Sequence, residues 1–249
     1  TISVADGLNN CPTNLLPPAF DVVINPTPSV TFTTLTPEIC FSNPATLDFG
    51  FLIGTPPFDI DYTIDAVAQT PLSINGNGNQ SYTINPNPTV GTHTYEIISV
   101  TDANNCIVLN PASPVNIIVN PTPDINITIS GINPMCIGQS SELFFPVVDG
   151  TPPYNVSYLV DNIPATANID AFGNISGTGG PLPVSPTNTT TYTLVSVTDD
   201  KGCTNILTDY AELVVNPLPD VIISSPTTEI CDQETAYFDF EFTAGTGPW

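Results

Sequence analysis

Six cysteines are the residues in this sequence whose type and spacing point most directly to a reaction. They fall at two positions in each stretch of about 95 residues, and no two of them form a Cys-x-x-Cys pair. In an exported β-rich protein, this pattern favours disulfide bonds over free thiols or metal ligands. The residues are Cys11, Cys40, Cys106, Cys136, Cys203 and Cys231.

Acid-base and nucleophilic catalysis have few residues to draw on. The chain contains one histidine (His93), one lysine (Lys201) and no arginine. A catalytic triad or a histidine-based metal site cannot recur along a repetitive chain from a single imidazole. We expect His93 to be a surface strand residue, because its counterpart in the next repeat is a threonine. No glycine-rich phosphate loop stands between a strand and a helix, so the sequence predicts neither an enzyme nor a cofactor.

Carboxylates are the other plentiful reactive groups. Asp59 and Asp61 share one face of a predicted strand, and without a recognisable cleft we interpret them as a solvated face. Asp102, Asp199 and Asp200 lie in predicted hairpins and are weak calcium candidates, with ordinary turn chemistry as the alternative.

The charge balance excludes whole classes of partner. The 24 acidic residues give a formal net charge of −23. Nucleic acid is excluded, because phosphate binding needs Lys and Arg, and anionic membrane surfaces recruit basic segments. No apolar run approaches the ~20 residues of a membrane span. Thr1 begins no signal peptide, so we expect any secretion signal to lie outside this sequence.

A short proline-containing motif, called the proline phrase below, recurs at intervals that match the length of a small domain. The copies are VINPTP at 23–28, IVNPTP at 118–123 and VVNPLP at 214–219. Other phrases recur in the same order, for example YEIISVTDANNC (95–106) and YTLVSVTDDKGC (192–203). Self-similarity at a fixed period takes precedence over local patterns. It predicts the C-terminal part of a preceding repeat at 1–26, complete repeats at 27–121 and 122–217, and the N-terminal part of a following repeat at 218–249.

The composition predicts an all-β fold built of tandem immunoglobulin-like sandwiches. With 28 Pro and 16 Gly among many Thr, Val and Ile, short strands and turns are favoured and long helices are not. About seven strands per ~95 residues describe a sandwich of this type, and a barrel is the alternative. The strands predicted in the first complete repeat are Val30–Thr34, Ala45–Leu52, Phe58–Ile64, Ala68–Ile74, Gln80–Ile84, Thr92–Thr101 and Val115–Val119. Aromatic residues at equivalent positions are interpreted as core: Phe58, Tyr95, Tyr154, Tyr192 and Trp249.

The proline phrases lie where the last strand of one repeat leads into the first strand of the next. Proline fixes φ and pushes the preceding residue towards extended backbone, so two prolines in four residues make a short, stiff linker. A chain of such units is predicted to form a rod. The linker residues are Asn25, Pro26, Pro28, Asn120, Pro121, Pro123, Asn216, Pro217 and Pro219.

Two disulfide pairings are open. Within repeats, Cys40 would bond to Cys106, and Cys136 to Cys203. In an immunoglobulin-like sandwich, however, the loop that carries Cys40 lies near the next repeat, and the hairpin that carries Cys203 lies near the preceding one. Opposite ends of one repeat are a strand length apart, roughly 25 Å, whereas bridged cysteines need Cα atoms within about 7 Å. We therefore favour a bond between Cys40 and Cys203 across the junction, and the pairing within repeats is the alternative.

The phrases GTPPF, YTLVSVTDDKGCT and VVNPLP, in this order, resemble the repeats of giant surface adhesins of Bacteroidota. These are the SprB-type gliding-motility repeats and related PKD-like immunoglobulin-fold repeats. The resemblance covers the whole chain. It implies export to the cell surface, usually by the type IX system, and a role as a stalk or adhesive filament. It carries over no catalytic residue.

Three functions remain in view. The first is a structural segment of a long extracellular adhesin or surface filament. Its partners would be further repeats of the same chain or neighbouring chains, which would also pair with Cys11, Cys106, Cys136 and Cys231. The second is a module that binds a surface glycan or protein. The third is the stalk of a secreted enzyme whose catalytic domain lies outside this sequence.

Overall fold

The computed structural model of the chain describes residues 22–84, 89–245 and 247, together with the backbone of Val4–Ala5 and Pro12–Thr13. Two residues with predicted roles, Cys11 and Trp249, lie outside the described residues.

Every regular element in these described ranges is a β-strand, so the predicted all-β class is confirmed. No helix there is long and apolar enough to span a membrane. The strands up to residue 121 are β1 (Val4–Ala5), β2 (Pro12–Thr13), β3 (Ser29–Thr34), β4 (Glu38–Cys40), β5 (Ala45–Ile53), β6 (Phe58–Ile64), β7 (Val67–Ala68), β8 (Leu72–Ile74), β9 (Gly78–Ile84), β10 (Gly91–Thr101), β11 (Ile107–Leu109) and β12 (Val115–Asn120).

The remaining sequence also consists of short strands joined by turns and loops. They are β13 (Asp124–Ile125), β14 (Thr128–Ile129), β15 (Met135–Cys136), β16 (Ser141–Phe144), β17 (Val147–Asp149), β18 (Tyr154–Val160), β19 (Ile163–Ile169), β20 (Leu182–Val184), β21 (Thr190–Thr198), β22 (Thr204–Ile206), β23 (Tyr210–Leu213), β24 (Val215–Asn216), β25 (Asp220–Ser224) and β26 (Asp239–Ala244).

Residues 27–121 contribute two sheets. The smaller sheet has the order β3-β5-β9, and the larger has the order β4-β12-β10-β6-β7, with β8 also paired to β6 and β11 to β10. The β4–β12 pair is parallel, whereas β6 and β10 are antiparallel. The last strand, β12, thus pairs with the short strand β4 from near the start of the repeat. This distribution of strands over two sheets is that of an immunoglobulin-like sandwich.

Residues 122–217 repeat the arrangement. A smaller sheet has the order β14-β16-β20, and a larger sheet has the order β19-β18-β21-β22 with β23 also paired to β21. β15 pairs in parallel with β24, as β4 does with β12. Beyond residue 217, β25 and β26 form an antiparallel pair.

The chain divides into two compact units that do not coincide with the sequence repeats. Unit 1 comprises Thr1–Thr33, Leu47–Tyr82 and Thr94–Val115, and unit 2 comprises Thr34–Thr46, Thr83–His93 and Asn116–Trp249. Strand β4 and nearly all of β12 therefore belong to unit 2, together with every later strand. The repeat boundaries at residues 121 and 217 remain predictions from the sequence.

The core of unit 1 is a row of phenylalanines. Phe32 and Phe49 have ring centroids 5.2 Å apart, and Phe51 and Phe58 stack at 4.1 Å. Tyr95 of β10 has no exposed surface. Inward side chains alternate with outward ones along β10, because successive residues of a strand point to opposite faces. The prediction that Phe58 and Tyr95 are core residues is confirmed.

The core of unit 2 has tyrosines at the equivalent positions. Tyr154 and Tyr192, the counterparts of Phe58 and Tyr95, are 2% and 3% exposed. They were predicted as core residues, and this is also confirmed. The other large side chains of this core are Ile125, Ile127, Met135, Leu143, Phe145, Val156, Tyr158, Ile169, Leu194, Val197 and Leu213.

Candidate functional site: a strand and a hairpin joined by a disulfide

Cys40 and Cys203 form a disulfide within unit 2, with their Cα atoms 5.5 Å apart. The two residues are 163 positions apart in sequence. Cys40 belongs to residues 27–121 and Cys203 to residues 122–217. This is the pairing that the topological argument favours, and neither bond of the alternative pairing is formed.

Cys40 is positioned by the short strand β4. This strand pairs in parallel with the end of β12, so that Cys40 lies opposite Asn120. The preceding residue of the strand, Ile39, is only 9% exposed. After Cys40 the chain turns, and the N–H of Asn43 donates to the carbonyl of Cys40 at 3.0 Å. The parallel pair on one side and the turn on the other fix the direction of the Cys40 side chain.

Cys203 is positioned by the hairpin that follows β21. The carboxylate of Asp199 accepts hydrogen bonds from the N–H groups of Lys201 at 3.0 Å and Cys203 at 2.9 Å. Its second oxygen accepts from the N–H of Thr151, at 3.1 Å. Gly202 has a φ of 76°, a backbone conformation that glycine adopts without steric cost. One buried carboxylate therefore holds the hairpin closed and ties it to the neighbouring loop.

Asp102 performs the same task in the first hairpin. It accepts from the N–H groups of Asn104 at 2.9 Å, Cys106 at 3.0 Å and Thr55 at 3.1 Å. Burial raises the pKa of Asp102, but the hydrogen bonds from these three N–H groups outweigh it, so the pKa lies below its ordinary value. Asn105 has a φ of 60° at the position of Gly202.

An ion pair lies beside the disulfide. The ammonium of Lys201 lies 2.8 Å from Oε1 of Glu38, and the two side chains are 39% and 40% exposed. The side-chain amide of Asn120 also donates to Glu38 Oε1, at 3.0 Å. The hydrogen bonds from Lys201 and Asn120 lower the pKa of Glu38, and the hydrogen bond to Glu38 raises the pKa of Lys201. The only lysine of the chain thus lies two residues before the bonded Cys203 and pairs with an acid two residues before Cys40.

A shallow surface cavity of about 400 Å³ opens next to this ion pair. The lining residues are Thr36, Glu38, Ile39, Cys40, Asn43, Pro44, Asn120 and Lys201.

The linker prolines contact the loop of the repeat that follows them. Pro28 and Pro123 are buried, whereas Pro219 is exposed. A Cβ on Gly150 would lie 2.8 Å from the Cα of Pro123, so the loop must carry glycine where it meets the linker. Gly54 approaches Pro28 in the same way, with an added Cβ at 3.3 Å from the Cα of Pro28. The linker is thus packed against the loop, and its stiffness stays a prediction from the sequence.

The calcium candidates occupy the two hairpins but are already engaged. The carboxylates of Asp102 and Asp199 each accept three backbone hydrogen bonds, as described above, and Asp200 is exposed. In the described ranges, no three His, Cys, Asp or Glu side chains lie close enough to hold a metal ion. Calcium binding at these residues stays a prediction.

The prediction for His93 is wrong. The side chain is 8% exposed and its Nε2 lies 2.6 Å from the carbonyl of Thr89. His93 is two residues before Tyr95 on β10, so the strand period places both on the inward face. Its counterpart Thr190 is buried too, at 4%. Asp59 and Asp61, in contrast, are exposed as predicted.

Sequence reasoning missed the pairing of Glu38 with Lys201. The sequence did contain a signal for this pair, because Glu38 and Lys201 each stand two residues before one of the two bonded cysteines. It also missed that Asp102 and Asp199 serve as acceptors for their own hairpins, although Asp at the start of a turn commonly does so.

Comparisons with known proteins assign no family to the chain. No protein-family model matches the chain, and no curated protein matches it in sequence. Among solved structures, the eight N-terminal Ig domains of Down Syndrome Cell Adhesion Molecule isoform 1.30.30 are 17% identical, with a TM-score of 0.44. That match covers 76% of this chain and 25% of the other.

Two further solved structures are bacterial. A region of a 1.5-MDa ice-binding adhesin is 11% identical, with a TM-score of 0.39, over 82% of this chain and 71% of that one. Fibronectin(III)-like modules of Clostridium thermocellum CbhA are 9% identical, with a TM-score of 0.35, over 75% and 94%. At TM-scores below 0.5 these likenesses carry no argument about function, and the sandwich assignment rests on the chain's own strand pairing.

Proposed function

We propose that the chain is a structural segment of a long extracellular adhesin or surface filament, in which consecutive repeats are fastened to one another. Its work is reach, stiffness and display, and it has no catalytic role. The finer assignment, to type IX-exported adhesins of Bacteroidota such as the SprB-type gliding-motility proteins, belongs to the same proposal and is supported by the order of the repeated phrases.

The observation that carries the proposal is the Cys40–Cys203 disulfide. It connects residues 27–121 to residues 122–217 at a second point, in addition to the linker Asn120–Pro123. Two connections resist bending and twisting where a single linker would allow both. The ion pair between Glu38 and Lys201 adds a third contact at the same place.

The chemistry of the site suits the outside of a cell. Structural disulfides persist in oxidising compartments and are rare in the cytosol. The formal charge of −23 keeps such a protein soluble and opposes nonspecific association. Both properties are expected of a surface filament.

Small-angle scattering tests the stiffness. We expect the oxidised chain to scatter as an elongated particle. The Cys40→Ser variant should show a broader distribution of dimensions, because only the linker and a partly exposed ion pair remain. Cys136→Ser is the matched control, since it removes an exposed thiol and leaves the bond intact. A compact globule for the oxidised chain, or equal flexibility in all three proteins, would contradict the proposal.

A second candidate function is binding of a glycan or protein, which an open cleft on unit 2 favours. The side-chain amide of Asn155 donates to Asn168 at 2.9 Å on its wall, and amide and hydroxyl groups suit sugar hydroxyls. A glycan array probed with the chain and with Asn168→Ala tests this, and equal or absent signal in both would exclude it. The cleft, of about 420 Å³, is lined by Pro153, Tyr154, Asn155, Asn168, Ser176, Thr198, Asp199 and Asp200.

A further inference from the structure

Two asparagines at the passage from β8 to β9 are each followed by glycine. The segment reads Asn75-Gly76-Asn77-Gly78, and the sequence contains no other Asn-Gly pair. A backbone nitrogen can attack the side-chain amide carbon of the asparagine before it and close a succinimide ring. Glycine permits this attack best, because it has no Cβ to obstruct the approach and its backbone is the least restricted.

The other asparagines of the chain are poorly suited to this reaction. Those of the proline phrases, Asn25, Asn120 and Asn216, precede proline, which has no N–H to lose. Many others precede isoleucine, valine or threonine, whose branched side chains crowd the attacking nitrogen. The sequence therefore concentrates the reaction in one segment of unit 1.

The first Asn-Gly pair is unrestrained. Asn75 is exposed, and within the described part of the chain neither its carbonyl nor the N–H of Gly76 has a hydrogen-bond partner. Both residues lie between β8 and β9, so no strand pairing holds the peptide that joins them. The atoms nearest to an added Cβ on Gly76 belong to the side chain of Gln80, which can move. This peptide can therefore rotate into the orientation that the attack requires.

The second Asn-Gly pair is restrained. Gly78 is the first residue of β9, so it belongs to a paired strand. The side-chain amide of Gln80 donates to the carbonyl of Asn77 at 3.0 Å, which holds the peptide between Asn77 and Gly78. Rotation of that peptide would break this bond. Asn77 should consequently react about two- to tenfold more slowly than Asn75, the range that one hydrogen bond supports.

We propose that Asn75 is a site of spontaneous, irreversible deamidation. The nitrogen of Gly76 bonds to Cγ of Asn75, the Cγ–Nδ2 bond breaks, and ammonia leaves with the proton that Gly76 loses. Water then opens the ring. Attack at Cγ gives aspartate, and attack at the main-chain carbonyl carbon gives isoaspartate. The balance is one water consumed and one ammonia released, without an oxidant or a cofactor.

The product changes the segment in two ways. It adds a negative charge to a chain whose formal net charge is already −23, and isoaspartate lengthens the main chain by one atom. The fold tolerates both changes, because Asn75 is exposed and lies outside the strands. Copies of the chain should therefore accumulate the change with age while they remain folded. The reaction does not depend on the function proposed above, since every copy would undergo it.

The test incubates the full oxidised chain in mildly alkaline buffer, which helps to remove the proton from Gly76. Samples are digested with pepsin in acid, where the reaction is suppressed, and sequenced by tandem mass spectrometry. We expect a gain of about 1 Da at Asn75, since an amide NH2 is replaced by a hydroxyl. Isoaspartate should accompany aspartate, because direct hydrolysis of the side chain would give aspartate alone. Asn43, which precedes Pro44, is the internal control and should keep its mass.

Three variants separate the contributions. Gly76→Ala should slow the reaction at Asn75 by at least about tenfold, because a Cβ obstructs the attacking nitrogen. Gln80→Ala should raise the rate at Asn77 towards that at Asn75, because the bond that holds its peptide is lost. Gly180→Ala, at a glycine with open space around it, is the matched control and should leave both rates unchanged.

Four results would overturn the inference. They are an Asn75 that keeps its mass while an unfolded peptide of the same sequence reacts, aspartate formed without isoaspartate, a reaction at Asn77 as fast as that at Asn75, and an unchanged rate at Asn75 in Gly76→Ala. None of them bears on the scattering test of the proposed function, which depends on the Cys40–Cys203 bond.

Discussion

Removing the Cys40–Cys203 disulfide should produce a large loss of stability. The bond closes a loop of 163 residues. Restricting an unfolded loop of this length lowers its entropy by an amount worth about 5 kcal/mol at 25 °C. Residual structure in the unfolded chain reduces the effect, so we expect a loss of about 2–5 kcal/mol for a Cys40→Ser, Cys203→Ala double variant. Alanine is chosen at Cys203 because this residue has no exposed surface.

Urea unfolding followed by far-ultraviolet circular dichroism measures this loss. The oxidised chain should have the highest free energy of unfolding. The same chain reduced with dithiothreitol and the double variant should both be less stable, by similar amounts. Cys136→Ser is the matched control, because it changes a free cysteine in the equivalent turn. Its free energy of unfolding should stay within about 0.5 kcal/mol of the unsubstituted chain.

Two outcomes would refute the reasoning. The first is a double variant that unfolds at the same urea concentration as the oxidised chain. The second is a control variant that loses as much stability as the double variant. The first would mean that the bond does not constrain the unfolded chain, and the second that the loss of stability does not come from the bond.

Other perturbations follow from single contacts. Hydrogen bonds hold the pKa of Asp102 below its value in the unfolded chain, so the carboxylate stabilises the fold above the unfolded pKa, and this stability is lost as pH falls through the folded pKa. Asp102→Asn should therefore flatten the acid limb of a plot of melting temperature against pH. The pKa of Glu38 is lowered and that of Lys201 raised, so the ion pair stabilises the fold at pH values between these two pKa values and not beyond either. High salt should remove the stability difference between Lys201→Gln and the unsubstituted chain, because both side chains of the pair are partly exposed and salt screens them. Gly150→Ala should cost about 1–3 kcal/mol in urea unfolding, since its φ is +109° and its Cβ would meet the linker proline, whereas Gly180→Ala, with open space around it, should cost little.

Strands with clear alternation could be predicted from the sequence, and short strands could not. The bounds Phe58–Ile64 of β6 agree with the predicted strand, because apolar and polar residues alternate along it. A single strand predicted over 68–74 is two strands, β7 and β8, with Pro71, which cannot donate to a ladder, between them. Strand β4 was missed, because three residues have no visible period and its partner lies some 80 residues away in parallel.

Some features of the candidate site could likewise be predicted from the sequence, and others could not. The disulfide followed from topology, since only the order of strands and the reach of a cystine were needed. The ion pair required the side-chain positions of residues 38 and 201, which depend on the packing of the hairpin against β4. The burial of His93 was within reach of the strand period. It was missed because comparison with a threonine in the next repeat was taken to indicate the surface, and that threonine is buried as well.

The most direct test of the central claim uses the fact that Lys201 is the only Lys or Arg in the chain. After free thiols are blocked and the protein is unfolded in urea, trypsin should cut once and yield segments 1–201 and 202–249. The account predicts that the two segments stay together until the disulfide is reduced, and that in Cys40→Ser they separate without reduction. Separation of the segments in the unsubstituted chain, or their retention in Cys40→Ser, would contradict the claim that Cys40 and Cys203 are joined.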